Sequence, residues 1–299
     1  MLQENKNTGI RNFLPPLGES GINYSSLLNY SQSVPSTNIY GIKYVEAEKE
    51  IYVVRNKRFV VKEKQFLVIN KGQEFYIDLR EKKLVKGFCI NLDEALLQKV
   101  FYEMKSAEEK LLNYPLNDGQ GHIEFHEDVF SSHDIFSNFL TGAIRQLRSN
   151  GTEYPCDIYS FYNEAAYHLL RSQKFVAGQI EKIKASKPST KKEIFNRVNT
   201  AKNIIDNDIT QKLEIDFLAR ESSLSEFHFY RSFKEAFGVT PHQYILKKRL
   251  EKSLALLQEG KLSVTDVAYH SGFNDVCAFS KSFKKLYKVA PTRLDLTIA

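Results

Sequence analysis

Two patterns of hydrophobic residues divide the chain. Between Ile39 and Leu92 the apolar residues form short β-branched and aromatic runs, separated by charged or glycine-bearing turns such as Lys71-Gly72-Gln73. Runs of this length at hairpin spacing predict strands, and a small β-sandwich or barrel explains them best. After residue 92 the apolar residues recur every three or four positions, which predicts helices.

The helical pattern begins at Asp93, whose side chain is suited to cap a helix running through Phe101. Further helices are predicted near 127–149 and 157–174 from their apolar stripes. Such stripes are more typical of a core than of an interface. Two adjacent amphipathic helices after a barrel nevertheless leave a role in dimerisation open.

The composition of the connecting segments predicts the division into domains. A charged, proline-bearing stretch at 181–191 is the best candidate for a linker. It separates an N-terminal domain, 1–180, from a helical domain, 192–299. The first 40 residues are polar and contain Pro15-Pro16, so we expect a loosely docked leader there.

The last third of the chain contains one sequence unit twice. The run Arg231-Ser232-Phe233-Lys234 returns as Lys281-Ser282-Phe283-Lys284, and the apolar and proline positions around each copy also repeat. A repeat of this kind is one supersecondary unit used twice. Each unit is predicted to be a short helix (213–220 and 264–270), a turn, and a longer helix with a basic outer face. That arrangement is a helix-turn-helix.

The longer helix of each unit has a predicted buried face and a predicted outer face. Two phenylalanines four positions apart define the buried face, Phe229 with Phe233 and Phe279 with Phe283. Ser225 and Asp275 have the side-chain oxygens needed to cap these helices. The outer face is left to Phe227, Tyr230, Arg231 and Lys234 in the first unit, and to Val276, Cys277, Ser280, Lys281 and Lys284 in the second. Exposed aromatic side chains beside Arg and Lys suit a DNA major groove.

A helix predicted from Pro241 to Leu257 connects the two units. Its length of about 25 Å would hold two reading helices near one helical turn of DNA, about 34 Å, apart. The alternative is an all-helical structural module with solvated basic faces. That alternative does not explain why the outer face stays basic in both copies.

The charge distribution agrees with a nucleic-acid partner. The net charge is +6, and residues 189–299 hold 18 Lys and Arg against 13 Asp and Glu, whereas residues 1–188 hold 24 against 23. A positive excess confined to the repeat favours DNA. The three cysteines, Cys89, Cys156 and Cys277, are scattered and predict neither a zinc site nor a disulfide framework. Cys277 is best explained as a small groove-facing residue, with an oxidisable thiol as the alternative.

The chain contains neither a signal-peptide apolar core nor an apolar run near the roughly 18 residues of a membrane helix. We therefore expect a cytoplasmic protein with no membrane partner.

The repeat resembles the AraC-type (AraC/XylS) transcription regulators over about residues 192–295. The resemblance rests on matching positions in both units, among them Ala219, Phe237-Gly238, Thr240-Pro241, Val267-Ala268 and Gly272-Phe273. It implies a C-terminal domain of two helix-turn-helix units joined by a long helix. It also implies base contacts by Phe227, Tyr230 and Arg231 in the first unit and by Val276, Cys277, Ser280 and Lys281 in the second. The second unit departs from the pattern, with Tyr287-Lys288 in place of Phe-Gly and Lys281 where Arg is frequent, so we expect it to be the more tolerant reader.

The resemblance also implies a role for the N-terminal half. In this family a cupin-like β-barrel followed by helices commonly binds an effector and forms a dimer, and the strands at 39–92 and helices at about 93–175 match that layout. The expected class is therefore α+β, a cupin-like barrel with helices followed by an all-α domain. The expected partners are double-stranded DNA, a small-molecule effector of unknown identity, a second copy of the chain and, as a further candidate, RNA polymerase.

Two other functions remain open at the level of sequence. The N-terminal half is either an effector domain or a ligand-free dimerisation or protein-interaction module. A metal-cupin enzyme with an appended DNA module is disfavoured, because residues 39–92 contain no histidine. The group His122, Glu124, His126 and His133 is best explained as surface or loop residues. We therefore expect no enzyme activity, no metal and no cofactor.

Overall fold

The computed structural model describes residues 4–5, 10–17, 20–27, 30–79, 83–112, 123–130, 135–149, 158–207, 209–211 and 213–294. The chain forms two compact units, Met1–Ala177 (unit 1) and Gly178–Ala299 (unit 2).

The strands that the structure describes all belong to unit 1. They are β1 Glu4–Asn5, β2 Ile10–Leu17, β3 Ser20–Leu27, β4 Tyr30–Val34, β5 Ile39–Ala47, β6 Lys49–Val54, β7 Lys57–Lys62, β8 Phe66–Ile69, β9 Phe75–Leu79, β10 Val85–Asp93 and β11 Val129–Phe130. The strand series predicted between residues 39 and 92 is confirmed, and it corresponds to β5 to β10.

These strands form two antiparallel sheets. One has the order β1-β2-β3-β10-β5-β8-β11 and the other the order β4-β9-β6-β7. The predicted α+β class and β-rich N-terminal domain are confirmed. The described strands form two separate sheets and do not close into one ring, so of the two architectures expected for this region the sandwich describes it better.

The expectation of a loosely docked leader is wrong for its described residues, which pair as strands β1 to β4. Strand β3 pairs with β10 from Gly21↔Asn91 to Leu27↔Val85, and Ile22 is fully buried. Strand β4 pairs with β9 in the other sheet. The sequence hid these strands because β3 and β4 are rich in Ser, Asn and Gln, and because Pro15 and Pro16 lie in β2 where its pairing with β3 is irregular.

Three helices follow strand β10 in the described part of this half of the chain. They are α1 Glu94–Leu112, α2 Ile135–Ser149 and α3 Ile158–Glu181. Asp93 caps α1, accepting the N–H of Leu96 at 2.8 Å. The ring of Phe66 in β8 packs edge-on against Phe136 of α2, with 5.1 Å between ring centroids. The helix predicted at 127–149 begins only at Ile135, because Val129 and Phe130 pair with β8 as a short strand.

Unit 2 is helical. Its helices are α4 Pro188–Asn207, α5 Ile215–Glu221, α6 Glu226–Phe237, α7 Pro241–Glu259, α8 Val264–His270 and α9 Val276–Tyr287, followed by a 3-10 turn at Pro291–Arg293. The segment between α3 and α4, residues 182–187, is called the connector below. It is shorter than the predicted linker 181–191, since Pro188 begins a helix.

Candidate nucleic-acid interface

The first helix-turn-helix consists of α5, a tight turn and α6. The turn closes through a hydrogen bond from the N–H of Leu224 to the carbonyl of Ala219, 3.0 Å, and Ser223 takes a positive φ of 53°. The Ser225 side chain caps α6 by accepting the N–H of His228. Helix α6 ends at Gly238 in the left-handed conformation, with φ 76°.

The second helix-turn-helix, α8 and α9, repeats this construction. The N–H of Phe273 bonds to the carbonyl of Ala268 at 3.0 Å, as Leu224 does to Ala219. Gly272 has φ 86° in this turn. Asp275 caps α9 with both carboxylate oxygens, accepting the N–H groups of Cys277 and Ala278. The same local chemistry therefore builds both copies.

Aromatic rings hold each second helix in place. In α6 the rings of Phe229 and Phe233 lie 5.6 Å apart, and Phe233 lies 4.6 Å from Phe237. In α9 the corresponding separations are 5.5 Å for Phe279 with Phe283 and 4.6 Å for Phe283 with Tyr287. The four inward phenylalanines are fully buried. This matched packing fixes which face of α6 and α9 is turned outward.

Helix α7 joins the two units and is capped at both ends. Thr240 and Gln243 form a capping box at its start, and Gly260 ends it in the left-handed conformation. Its 19 residues span about 28 Å. The helix is two residues longer than the prediction, which ended at Leu257.

A buried polar cluster braces α7 against α4. The Tyr244 hydroxyl donates to Asp206 at 2.8 Å, and Lys202 donates to the other carboxylate oxygen at 2.7 Å. Burial raises the pKa of Asp206, but Lys202, Lys248 and the Tyr244 hydroxyl outweigh it, so the pKa lies below its usual value. Asp206 is therefore an ionised, fully paired carboxylate that fixes α7.

The predicted outer face of α6 is solvent-exposed. Phe227 is 72% exposed and Tyr230 40% exposed, and Arg231 and Lys234 are also exposed. Phe227 is the most exposed large hydrophobic side chain in the described part of the chain. It lies in the first turn, the end of a recognition helix that usually contacts base edges.

The outer face of α9 differs from that prediction at one position. Cys277, Lys281 and Lys284 are exposed and Ser280 is half-buried. Val276 was expected to face outward, but it packs against the core formed around Phe279 and Phe283. The reason is helical spacing, because Val276 precedes Phe279 by three positions and Phe283 by seven, which places all three on one face.

One residue at this interface was not found from the sequence. Glu235 accepts a hydrogen bond from Arg231 Nε at 3.0 Å. Its second carboxylate oxygen accepts the backbone N–H of Lys184, in the connector, at 3.0 Å. The spacing of four between Arg231 and Glu235 was the available signal for the first bond. No sequence signal pointed to the second.

The interior of unit 1 contains a polar group between its two sheets. Lys43 Nζ lies 2.7 Å from Cys89 Sγ and 5.0 Å from the centre of the Phe75 ring. Nearby, the Tyr52 hydroxyl donates to Glu50, whose carboxyl group is buried. Burial raises the pKa of Glu50 to about 6, against the opposing effects of Tyr52 and Lys43. Ionisable groups inside an apolar sandwich are costly unless they are paired.

The structure gives no candidate metal ligands in the part of the chain that it describes. No group of three or more His, Cys, Asp or Glu side chains there is arranged to hold a metal ion. The predicted group at 122–133 is described only in part: Glu124 and His126 are included, whereas His122 and His133 lie outside the described residues, as does Cys156. None of the described helices has the length and apolar character required to cross a membrane.

Comparison with known proteins identifies the repeat. A helix-turn-helix domain family model matches residues 218–295. Probable transcriptional regulator LumQ from Photobacterium leiognathi is 35% identical over 96 residues, covering 32% of this chain and 39% of LumQ. Probable transcription factor PqrA from Proteus vulgaris is 34% identical over 103 residues, covering 31% of this chain and 84% of PqrA. The solved structure of ToxT from Vibrio cholerae aligns with 91% of this chain and 96% of its own, at 14% identity and a TM-score of 0.36.

The similarity to PqrA extends over most of that protein, and the family model spans the helices that carry the exposed aromatic and basic face. The chain belongs to the AraC-type family of transcription regulators. It spans well under half of the length of LumQ.

Proposed function

We propose that this protein is a sequence-specific DNA-binding transcription regulator in which α6 and α9 enter two successive major grooves of double-stranded DNA. The observation that carries the proposal is the matched construction of α6 and α9. Each helix is capped at its start and is packed through its own pair of buried phenylalanines, and helix α7 joins the two units. The span of α7, about 28 Å, is close to one helical turn of DNA, about 34 Å.

The side chains divide into two roles. In α6, Phe227 and Tyr230 are suited to contact thymine methyl groups, and Arg231 is suited to a guanine edge. In α9 the corresponding contacts come from Cys277, Ser280 and Lys281. Lys234 and Lys284 are exposed and hold phosphates, which adds affinity without sequence preference. Val276 is half-buried and also packs against the core around Phe279 and Phe283.

The two helices are expected to differ in selectivity. Arg presents a planar fork that matches the two acceptors of guanine, whereas Lys presents a point charge. Arg231 in α6 and Lys281 in α9 occupy equivalent positions of the repeat. The first helix therefore supplies most of the base discrimination, and the second tolerates more sequences.

Gel-shift titration of three variants tests this proposal. Arg231→Ala should remove more specific affinity than Lys281→Ala, while both lower the salt dependence of binding by a similar amount. Lys261→Ala is the charge-matched control, because Lys261 is exposed in the loop after α7. Equal losses of specific affinity from Arg231→Ala and Lys281→Ala would contradict the assignment of roles.

Unit 1 is proposed to bind a small-molecule effector and to form a homodimer. The support for an effector is the polar group around Lys43, Glu50 and Cys89, which lies between two largely apolar sheet faces. Binding sites for small molecules commonly combine an apolar wall with a few fixed polar groups. A compound that raises the melting temperature of the full chain, and does so less for Lys43→Met, would support this site.

A stable dimer with no compound-dependent melting shift would instead support a ligand-free dimerisation module. RNA polymerase is proposed as a further partner and the cytoplasm as the location. No catalytic role is proposed for any residue.

A further inference from the structure

We propose that Glu235 is a specificity-determining positioning residue, which holds the Arg231 guanidinium ready for a guanine and is itself held by the connector. This inference rests on the proposed DNA-binding function and adds a residue that does not itself touch the bases. Three features of unit 2 support it: the geometry of the Arg231 bond, the second bond of Glu235, and the contrast with α9.

The first feature is the side of the guanidinium that Glu235 occupies. The carboxylate bonds to Nε of Arg231, which lies on the inner side of the fork. In the part of the chain that the structure describes, Nη1 and Nη2 of Arg231 have no hydrogen-bond partner. These two groups can donate together to O6 and N7 of guanine. Glu235 therefore orients the guanidinium plane and leaves its base-contacting edge available.

The second feature is that Glu235 is fixed from its other side. The Arg231 side chain is 55% exposed, but the Glu235 side chain is only 16% exposed. Its second oxygen accepts the N–H of Lys184, and the neighbouring Ile183 is buried, which secures the connector at this point. Burial raises the pKa of Glu235, but the hydrogen bonds from the Lys184 N–H and from Arg231 outweigh this effect. The pKa of Glu235 therefore lies below its usual value, and the carboxylate stays ionised.

The third feature is the contrast with the second helix-turn-helix. The repeat places Lys281 at the position of Arg231 and Lys285 at the position of Glu235. In α9 the residue four positions along is thus a second cation, which cannot hold Lys281 and repels it weakly. Helix α6 therefore presents a guanidinium fixed by a carboxylate. Helix α9 presents two exposed ammonium groups at the corresponding positions.

An ordinary surface ion pair would have a different signature. An exposed pair four residues apart on a helix adds only about 0.3–0.5 kcal/mol to stability and has no necessary effect on base preference. A positioning residue acts on discrimination between base pairs, because an unheld arginine must lose its side-chain freedom on binding. The two interpretations therefore separate by base preference rather than by stability.

The experiment uses the full-length protein and a binding site selected by it from random duplex DNA. Glu235→Gln keeps the size of the side chain, but it replaces one carboxylate oxygen by an NH2 donor. Arg231 and Lys184 bond to different oxygens, so one of them then faces a donor instead of an acceptor. We expect Glu235→Gln to reduce discrimination at one guanine-containing base pair by roughly tenfold, with little change in binding to unrelated DNA. Glu221→Gln is the control, because it removes the same charge from an exposed position at the end of α5.

A double-mutant comparison completes the test. In the Arg231→Ala background, Glu235→Gln should cause no further loss of base preference, since Glu235 acts through Arg231. Wild-type discrimination in Glu235→Gln, or an equal loss with and without Arg231, would overturn the inference while leaving sequence-specific binding in place. If the wild-type protein selects no sequence at all, the proposed function fails and this inference fails with it.

Discussion

Gly272, in the turn of the second helix-turn-helix, lies directly against the carbonyl group of Ile209. A Cβ atom at Gly272 would stand 2.6 Å from the Ile209 oxygen and 2.9 Å from Arg249 Nε. Arg249, on α7, donates to that same oxygen at 3.0 Å and to the Gln211 carbonyl at 3.0 Å. The turn, the segment after α4 and the connecting helix therefore meet at one point with no spare volume.

The first prediction concerns this contact. Gly272→Ala should destabilise unit 2 by about 3 kcal/mol, because it combines a left-handed backbone with overpacking against a carbonyl. Gly238→Ala is the matched control: Gly238 has a similar φ of 76°, but nothing lies within 4 Å of its Cβ position. The control should lose only about 1 kcal/mol. Urea unfolding followed by circular dichroism measures both, and equal losses would contradict the account of Gly272.

The second prediction concerns the end of α9. Lys288 ends this helix in the left-handed conformation with φ 64°, the position that Gly238 occupies after α6. A residue with a Cβ atom is strained there, so Lys288→Gly should stabilise unit 2 by about 1 kcal/mol. Lys285→Gly, inside α9, is the opposite control and should destabilise it. An unchanged or lower urea midpoint for Lys288→Gly would argue against strain at this cap.

The turn at Gly272 and the end of α9 illustrate what the sequence can predict and what it cannot. The caps and the inward phenylalanines follow from local spacing, and the structure has them where the repeat predicts. The same sequence contains no sign that Gly272 faces Ile209, because the two residues are brought together only by the packing of α4 and α7. The hydrogen bond between Glu235 and the backbone N–H of Lys184 is another long-range contact that the sequence did not predict.

The N-terminal half shows the same limit. Strands β5 to β10 alternate or run apolar and are recognisable, whereas β3 is polar and becomes a strand because β10 offers a partner for its backbone. Val276 is a different case, since its spacing from Phe279 and Phe283 already indicated that part of its side chain would pack against the core.

The third prediction concerns the bond between Tyr244 and Asp206. Tyr244→Phe removes a hydrogen bond to a buried, ionised carboxylate and should destabilise unit 2 by about 2 kcal/mol at neutral pH. The folded-state pKa of Asp206 lies below 3.8, so its stabilising effect is complete above that value and is lost as the pH falls through the lower folded-state pKa. The deficit of the variant should therefore shrink in acid. A deficit that is constant with pH, measured by urea unfolding, would contradict a role for the ionised form.

The fourth prediction concerns Glu50 in unit 1. Its pKa is raised from 4.5 to about 6 in the folded state, so the folded protein holds this proton more tightly than the unfolded chain. Stability should therefore fall as the pH rises from 4.5 to about 6, and then change no further through this group.

Glu50→Gln should remove this dependence and melt higher at neutral pH, with a gain of about 2 kcal/mol. The amide still accepts the Tyr52 hydroxyl bond. Glu63→Gln, at an exposed position, is the control and should leave the pH dependence unchanged. Calorimetric melting across this pH range measures the effect, and the same pH dependence in Glu50→Gln and the wild type would contradict the assignment.

The most direct test of the central claim is selection of binding sites from random duplex DNA by the full-length protein, repeated across a salt series. Two helices held by α7 in successive major grooves predict an enriched motif of two boxes about one helical turn apart, with the more stringent box assigned to α6 by its loss in Arg231→Ala. Binding without an enriched motif, weakening steeply with salt, would mean that only phosphates are contacted and would contradict the proposed function.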